Sequence, residues 1–387
     1  MSLSWSALNS DISEIAGEWR SQRPDRQARR GLDPADFSRL ANAGFLRTAV
    51  PEDMGGLWRS VTETTRPICE LLRTLAAADP SVALVSSMHP AVLGFWLAKP
   101  DETRAAWTEQ RAAAFATAAD GQQWGTITSE PGSGGDILRT KAQALPDDGV
   151  EATVPGRTYR VNGAKHFGSG SGVTSFMITT AVPNGEDAPT AFVLDVRDRP
   201  WDGSAGLRLT AEWDGMGMAA TQSHAMQLDG CPAIRFAWDG PLQELTSAAG
   251  PLISSLFTSV ILGVFDEAIA TAKVQLRPKA DALRPYEQIE WTRAELDYWL
   301  AVQAYEGALR AVESGDHPRA FHATLRAKEA VAELAEASLG RLARVIGGAT
   351  FSRRSPFASW FEDVRALGFL RPPWGLAYDN LFLTSLD

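Results

Sequence analysis

Apolar residues recur at helical spacing along the first third of the chain. Between residues 33 and 45, Phe37, Leu40, Ala41 and Phe45 fall on one helix face. Asp33 stands where an N-cap is wanted and Pro34 at the first helical position, while Gly44 can end the turn. The paired glycines of PEDMGG (51–56) then read as a loop. Residues 61–97 are rich in Ala, Leu, Val and Met with a break at Asp79-Pro80, which predicts two helices sharing a buried seam. After Gly121 the pattern changes to short β-branched or aromatic runs, 158–161, 174–182 and 190–196, bounded by Gly, Pro, Asp and Asn. No helical pattern intervenes, so a compact and mostly antiparallel β domain is expected. From about Ser247 helical spacing returns in 253–276, 294–313 and 325–348; in the last, Val331, Leu334, Ala335, Leu339, Leu342, Val345 and Ile346 form one stripe. The expected fold class is mixed α+β and multidomain: an N-terminal α-helical domain (1–120), a central β-sheet domain (121–237) and a C-terminal four-helix-bundle-like domain (238–387).

Composition narrows the functional classes. With 387 residues, 44% hydrophobic and 22% charged, the chain can build two or three cores. Its net charge of -10, from 47 acidic and 37 basic residues, argues against a broad nucleic-acid footprint. A local basic patch for an anionic ligand stays open. Cys69 and Cys231 lack zinc-like spacing, so no metal site is expected, and they fit a reducing compartment. The first twenty residues lack the basic-then-apolar order of a signal peptide, and no run of about eighteen apolar residues stands out. A cytoplasmic protein without membrane insertion is expected.

Two segments carry candidate chemistry. In ITSEPGSGGD (127–136), Gly132, Gly134 and Gly135 permit close backbone approach to a flat or phosphorylated ligand, and Thr128 and Ser129 offer hydroxyls. From spacing alone, the same residues read first as a glycine-rich turn between strands. VNGAKHFGSGSG (161–172) supplies a tight Asn-Gly turn followed by Phe167 and Ser169, a ring to cover one face of a flat cofactor and a hydroxyl for its polar edge. Alone, it reads as a hairpin with an ordinary apolar Phe.

Taken in order, PEDMGG, SEPGSGGD, NGAKHFGSG, WDGMGMAATQSH and RVIGG with a later EDVR resemble the acyl-CoA dehydrogenase superfamily, including its flavin-dependent monooxygenase branch, from about residue 30 to 370. The resemblance implies a helical, β, helical flavoprotein that assembles as a homodimer or homotetramer, with FAD between the β domain and the C-terminal bundle. It places Thr128 and Ser129 on the flavin, Gly134 and Gly135 beside its diphosphate, and Phe167 and Ser169 beside the isoalloxazine. Gly347 and Gly348 would meet the adenosine half of a neighbouring subunit's FAD, with Arg344 pairing the diphosphate. The implied activity is oxidation of an acyl-CoA-like or other small organic substrate, with an electron-transfer partner.

The sequence departs from that pattern where the base belongs. Dehydrogenation at a thioester needs a positioned carboxylate. Counting from EDVR reaches Arg371, which cannot act as a base, and the other customary position, within 246–263, holds no carboxylate. An alternative is a two-component monooxygenase that takes reduced FMN or FAD from a flavin reductase and keeps water from it in a dry pocket. His89 lies where some such enzymes carry an active-site histidine; its bland reading is a satisfied helix histidine. Arg371 is the second catalytic candidate, as a ligand for a substrate carboxylate, a carbonyl or a peroxide, or else a structural ion pair with Glu362 or Asp363. Glu130 reads as an anchor for the glycine-rich loop. A third class, a binding or scaffold protein that kept the fold without its chemistry, also stays open.

Overall fold

The computed structural model describes residues 3–99 and 102–386. Six helices come first: α1 (Trp5–Ser21), α2 (Arg23–Ala28), α3 (Pro34–Ala43), α4 (Val61–Ala78), α5 (Pro80–Leu97) and α6 (Ala105–Ala119). The caps fall where the sequence places them. The Asp33 side chain accepts from the Ala35 amide, and Gly44 ends α3 with φ 99°, a backbone state that disfavours residues bearing a Cβ. Asp79 both ends α4 and caps α5 through the Val82 amide, which is why the helical pattern breaks there without a loop.

Seven strands follow: β1 (Trp124–Thr126), β2 (Gln143–Pro146), β3 (Thr158–Gly168), β4 (Phe176–Pro183), β5 (Thr190–Asp195), β6 (Leu207–Ala211) and β7 (His224–Arg235). β4, β2, β3, β7 and β5 pair in a closed ring, because β5 pairs with both β7 and β4. Closure removes exposed edges and gives the β region its own core of residues such as Val161, Phe192, Leu194 and Leu228. Most pairs are antiparallel, but β4 runs parallel to β1 and β2.

One local expectation fails here. Asn162-Gly163 lies inside the eleven-residue β3, not in a turn. The Asn162 carboxamide oxygen accepts from the Gly230 amide across the sheet, and a Cβ on Gly163 would come 2.6 Å from that of Ala142. Glycine is therefore demanded by close strand approach. A second register shift, between Lys165 and Gly168, leaves Phe167 with φ 57°. Such a bulge re-aims a side chain out of the sheet.

The last helices are α7 (Leu242–Leu276), α8 (Pro285–Glu313), α9 (His317–Ile346), α10 (Phe357–Gly368) and α11 (Trp374–Leu383). α7, α8 and α9 pack together, α10 covers α7 and α9, and α4 and α5 lie along α7. One continuous apolar core thus joins the two helical regions, from Leu72 and Trp96 to Leu256, Val260 and Leu339. Contrary to the sequence expectation, α5 and the stretch beginning with α7 are each long and apolar enough to cross a membrane. Here 94% and 83% of those windows are buried within the protein, so core packing accounts for their apolarity.

Candidate functional site

The β ring, α5, α7 and the turn after α10 enclose a cavity of about 1030 Å³. That lies at the upper end of the usual range for small-molecule sites, roughly 300–1,000 Å³. One wall is apolar, with Met88, Val92 and Phe95 from α5, Phe236 after β7, and Ile253 and Phe257 from α7. The other carries Thr128, Ser129, Gly134, Gly135, His166, Phe167, Ser169, Ser223 and Arg371. Six cofactor candidates from two distant sequence segments thus meet in one chamber, together with Arg371.

The glycine-rich loop is held from behind. Lys165, fully buried on β3, donates to Glu130 Oε1 at 2.5 Å and to the Thr180 carbonyl at 2.6 Å. Glu130 also accepts from the Thr140 hydroxyl and from the Lys141 amide at 2.7 Å. Burial alone would raise the Glu130 carboxyl, but Lys165, Thr140 and the amide outweigh it and hold it below its ordinary range. Burial likewise pulls Lys165 below its usual value against the pull of Glu130. Glu130 is thus the loop anchor and is unavailable as a base. Gly135 has φ 82°, and a Cβ there would meet Pro373 at 2.7 Å, so this glycine lets the turn after α10 close over the loop.

That turn is pinned from the bundle side. Lys328, fully buried on α9, donates to Glu329 at 2.8 Å, to the Gly368 carbonyl at 2.8 Å and to the Pro372 carbonyl at 2.9 Å. Arg371 lies between the two carbonyls and points into the cavity, where Nη2 donates to Ser129 Oγ at 2.7 Å. Its expected ion pair with Glu362 or Asp363 does not form. Asp363 accepts instead from the Met218 amide at 2.7 Å, and Glu362 meets Arg365. Desolvation lowers Arg371 to about 10, partly opposed by Asp136, so the group stays cationic at neutral pH.

The hydroxyls form a directed chain. Thr221 Oγ1 lies 2.8 Å from the Met218 carbonyl, which can only accept, so Thr221 donates there. Ser223, 2.7 Å away, must then donate to Thr221, and Ser169, 2.8 Å from Ser223, must donate to Ser223. Ser169 consequently turns lone pairs toward the cavity. Thr221 and Ser223 lie in the loop that precedes β7. Thr180 Oγ1, another lining group, is buried without a partner among the described residues. Phe167 is 55% exposed at the rim, edge-on to Trp213 at 5.9 Å.

Other candidates lie elsewhere. His89 is fully buried outside the cavity lining; Nε2 contacts the Leu46 carbonyl at 2.8 Å and Nδ1 accepts from the Trp124 amide at 3.1 Å. Both ring nitrogens serve backbone groups and burial drops its pKa to about 4, so His89 is a neutral staple between α5, the loop after α3 and β1. His224 is buried with Nδ1 accepting from the Trp213 amide. Arg344 pairs with Glu290 at 3.1 Å on the exposed end of α9, and Gly347 and Gly348 follow it outside the cavity lining. Sequence reading missed His166, Lys165 and Lys328. The first two lie inside the NGAKHFGSG motif, and Lys328 lies in none of the motifs.

Among the described lining residues, Glu130 and Asp136 are the only carboxylates, and Asp136 caps the 137–139 turn through the Leu138 amide. The cavity therefore holds no free carboxylate to remove a proton.

The helical, β, helical arrangement with its closed five-strand ring is the fold that the sequence resemblance implied, and it is shared with solved structures. FMN-bound TdsC from Paenibacillus sp. A11-2 superposes with a TM-score of 0.80 at 19% identity, covering 98% of each chain. In sequence, the amino sugar nitrososynthase DnmZ of Streptomyces peucetius is 25% identical over 372 residues, 92% of this chain and 86% of the relative. The dibenzothiophene monooxygenase of Mycolicibacterium goodii is 27% identical over 300 residues, 73% of this chain and 65% of the relative. No family model matches the chain.

Proposed function

We propose that this protein is a flavin-dependent monooxygenase of the two-component type, using reduced FMN delivered by a separate flavin reductase. The observation that carries this reading is the cavity itself, with a flavin-type polar rim, a large apolar wall and no free carboxylate among the described lining residues. The expectation of acyl-thioester dehydrogenation gives way, because both lining carboxylates are engaged in structure. FMN is preferred to FAD because TdsC is FMN-bound. DnmZ and the dibenzothiophene monooxygenase, as oxidative relatives, point the same way.

The residues fit a flavin. Thr128 and Ser129 face the cavity as donors, Gly134 leaves space where a side chain would stand, and Phe167 can swing over a ring from the rim. Bound there, reduced flavin would supply the reducing power and the oxygen activation. The chain's own groups do the rest. Ser169, turned as an acceptor, suits a ring that carries an extra N–H, as the reduced form does and the oxidised form does not. Val92, Phe95 and Phe257 exclude water, and Arg371 holds a fixed positive charge beside Ser129.

Two further elements belong to this reading. Helix α8 presents Ile289, Leu296, Trp299 and Leu300 to solvent along one side, a patch suited to self-association as a homo-oligomer. Cys69 and Cys231 are buried free thiols, in keeping with the cytoplasmic setting expected from the sequence.

The test is anaerobic titration of the purified protein with reduced FMN, oxidised FMN and FAD, followed by fluorescence. Reduced FMN is expected to bind about tenfold or more tighter than FAD. Tight retention of FAD with no preference for reduced FMN would contradict the proposal.

A further inference from the structure

Among the described residues the fully buried guanidinium of Arg26 is neutralised, and the half-buried ones of Arg66 and Arg73 are too. Arg26 meets Asp36 at 2.7 Å and Asp79 at 2.8 Å, Arg66 meets Glu306 and Glu313, and Arg73 meets Asp266. Arg371 makes no ion pair among the described residues, and its one hydrogen-bond partner is the neutral Ser129 hydroxyl. The nearest acidic influence, Asp136, acts on it from beyond ion-pair distance while its Oδ1 accepts from the Leu138 amide.

The backbone that carries Arg371 is fixed at the cavity. Lys328 grips the carbonyls of Gly368 and Pro372 on either side of it, and Pro373 lies against Gly135. A planar group with five donors is therefore held, mostly unused, on the wall of a cavity that is otherwise rich in apolar side chains from α5 and α7. Removing a charge from water without a counter-charge is costly, and a ligand that brings the missing anion recovers that cost on binding.

The geometry points to Arg371 as the specificity-determining anchor for an oxyanion on the organic substrate, whose apolar body would lie along Met88, Val92, Phe95 and Phe257. The substrate class is thus a compact aromatic or aliphatic acid, a carboxylate or a sulfur or phosphorus oxyanion, bound through a forked pair of charge-assisted hydrogen bonds. This rests on the flavin reading of the same cavity. It adds a discrimination against neutral substrates, since an uncharged analogue would leave the guanidinium uncompensated.

The experiment uses FMN-loaded protein and two isosteric probes, 2-naphthoate and 2-naphthamide, compared by calorimetry. Wild-type protein is expected to bind the carboxylate about ten- to hundredfold more tightly than the amide, the range for losing hydrogen bonds to a charged group. Arg371→Gln should abolish that preference while still binding the amide. Equal affinities for the two probes in the wild type, no naphthoate binding, or a preference that survives in Arg371→Gln would overturn the assignment. The other source of a counter-anion, the FMN phosphate, is separated by titrating wild type and Arg371→Gln with FMN and with lumiflavin, which lacks the phosphate. Loss of FMN affinity with unchanged lumiflavin affinity would give Arg371 to the phosphate and overturn the substrate role. Failure of the wild type to bind either flavin would instead overturn the flavin reading, without bearing on the naphthoate preference, which can be measured on the same protein without FMN.

Discussion

Lys165 and Lys328 sit behind the cavity, and Arg371 sits on its surface. Each lysine is fully buried and surrounded by a carboxylate and backbone carbonyls. Arg371 has one hydroxyl. The two lysines are fully buried and Arg371 is half-buried, and the larger difference lies in what the fold supplies to them. Saturated ionic clusters hold the two loops in place, whereas the groups those loops carry are left with unused hydrogen-bonding capacity. That division is how a fold separates support from binding: every partner the protein itself provides is one a ligand cannot provide.

The largest effect is expected from breaking a saturated cluster. Lys165→Met leaves Glu130 buried without its cation and should cost about 3–5 kcal/mol of stability, read by urea denaturation. Adding Glu130→Gln should restore part of that loss; a double variant no more stable than the single would show that the pair does not act as a unit.

Next in size is Asp363, an anion supplied with only the Met218 amide. Burial pushes its carboxyl up to about 7, with Asp79 and Glu362 adding to the rise and the amide opposing it. The folded carboxyl keeps its proton to higher pH than the unfolded one, which titrates near 4. This group therefore favours the folded state most at low pH, and that contribution is lost as pH rises from about 4 through 7. Asp363→Asn keeps the acceptor without the charge. Its stability advantage over wild type should grow between pH 4 and pH 8, to ~2–4 kcal/mol. A constant difference across that range would contradict the assignment.

The directed hydroxyl chain sharpens the comparison at smaller scale. Ser223→Ala removes the acceptor that orients Ser169, freeing that hydroxyl to donate toward the cavity. The ratio of reduced to oxidised FMN affinity should fall about three- to tenfold, roughly 1 kcal/mol; an unchanged ratio would remove the chain from flavin selection. Smallest of all, Arg344→Ala should leave FMN affinity within about twofold, because its partner is Glu290 on the exposed end of α9. A large loss there would return the site to an FAD-like geometry.

Local chemistry explains what was legible in the sequence. Asp33-Pro34, Gly44 and Asp79-Pro80 mark helix ends because capping acts over a few residues, and the β segments announce themselves by their composition. Thr128, Ser129, Phe167 and Ser169 could be named because each lies in a short motif, and they do line one chamber. His89 carried two readings, an active-site histidine and a satisfied helix histidine, and only packing separates them, since its partners, Leu46 and Trp124, are 43 and 35 residues away. Asn162-Gly163 misled for a related reason: the same dipeptide that favours a turn also fits a strand whose neighbour, Ala142, comes too close for a side chain. Lys328 is invisible in a helical stripe, because its role comes from carbonyls 40 and 44 residues further on. The engaged state of Glu130 and the solitary state of Arg371 are likewise properties of packing.

The most direct test of the central claim is the fate of oxygen at the loaded site. Wild-type protein would be saturated anaerobically with reduced FMN, mixed rapidly with oxygenated buffer, and followed by flavin absorbance and hydrogen peroxide release. The account expects peroxide to appear at least about tenfold more slowly than from free reduced FMN, because the cavity excludes water from the bound ring. Peroxide released at the free rate from demonstrably bound FMN would contradict it.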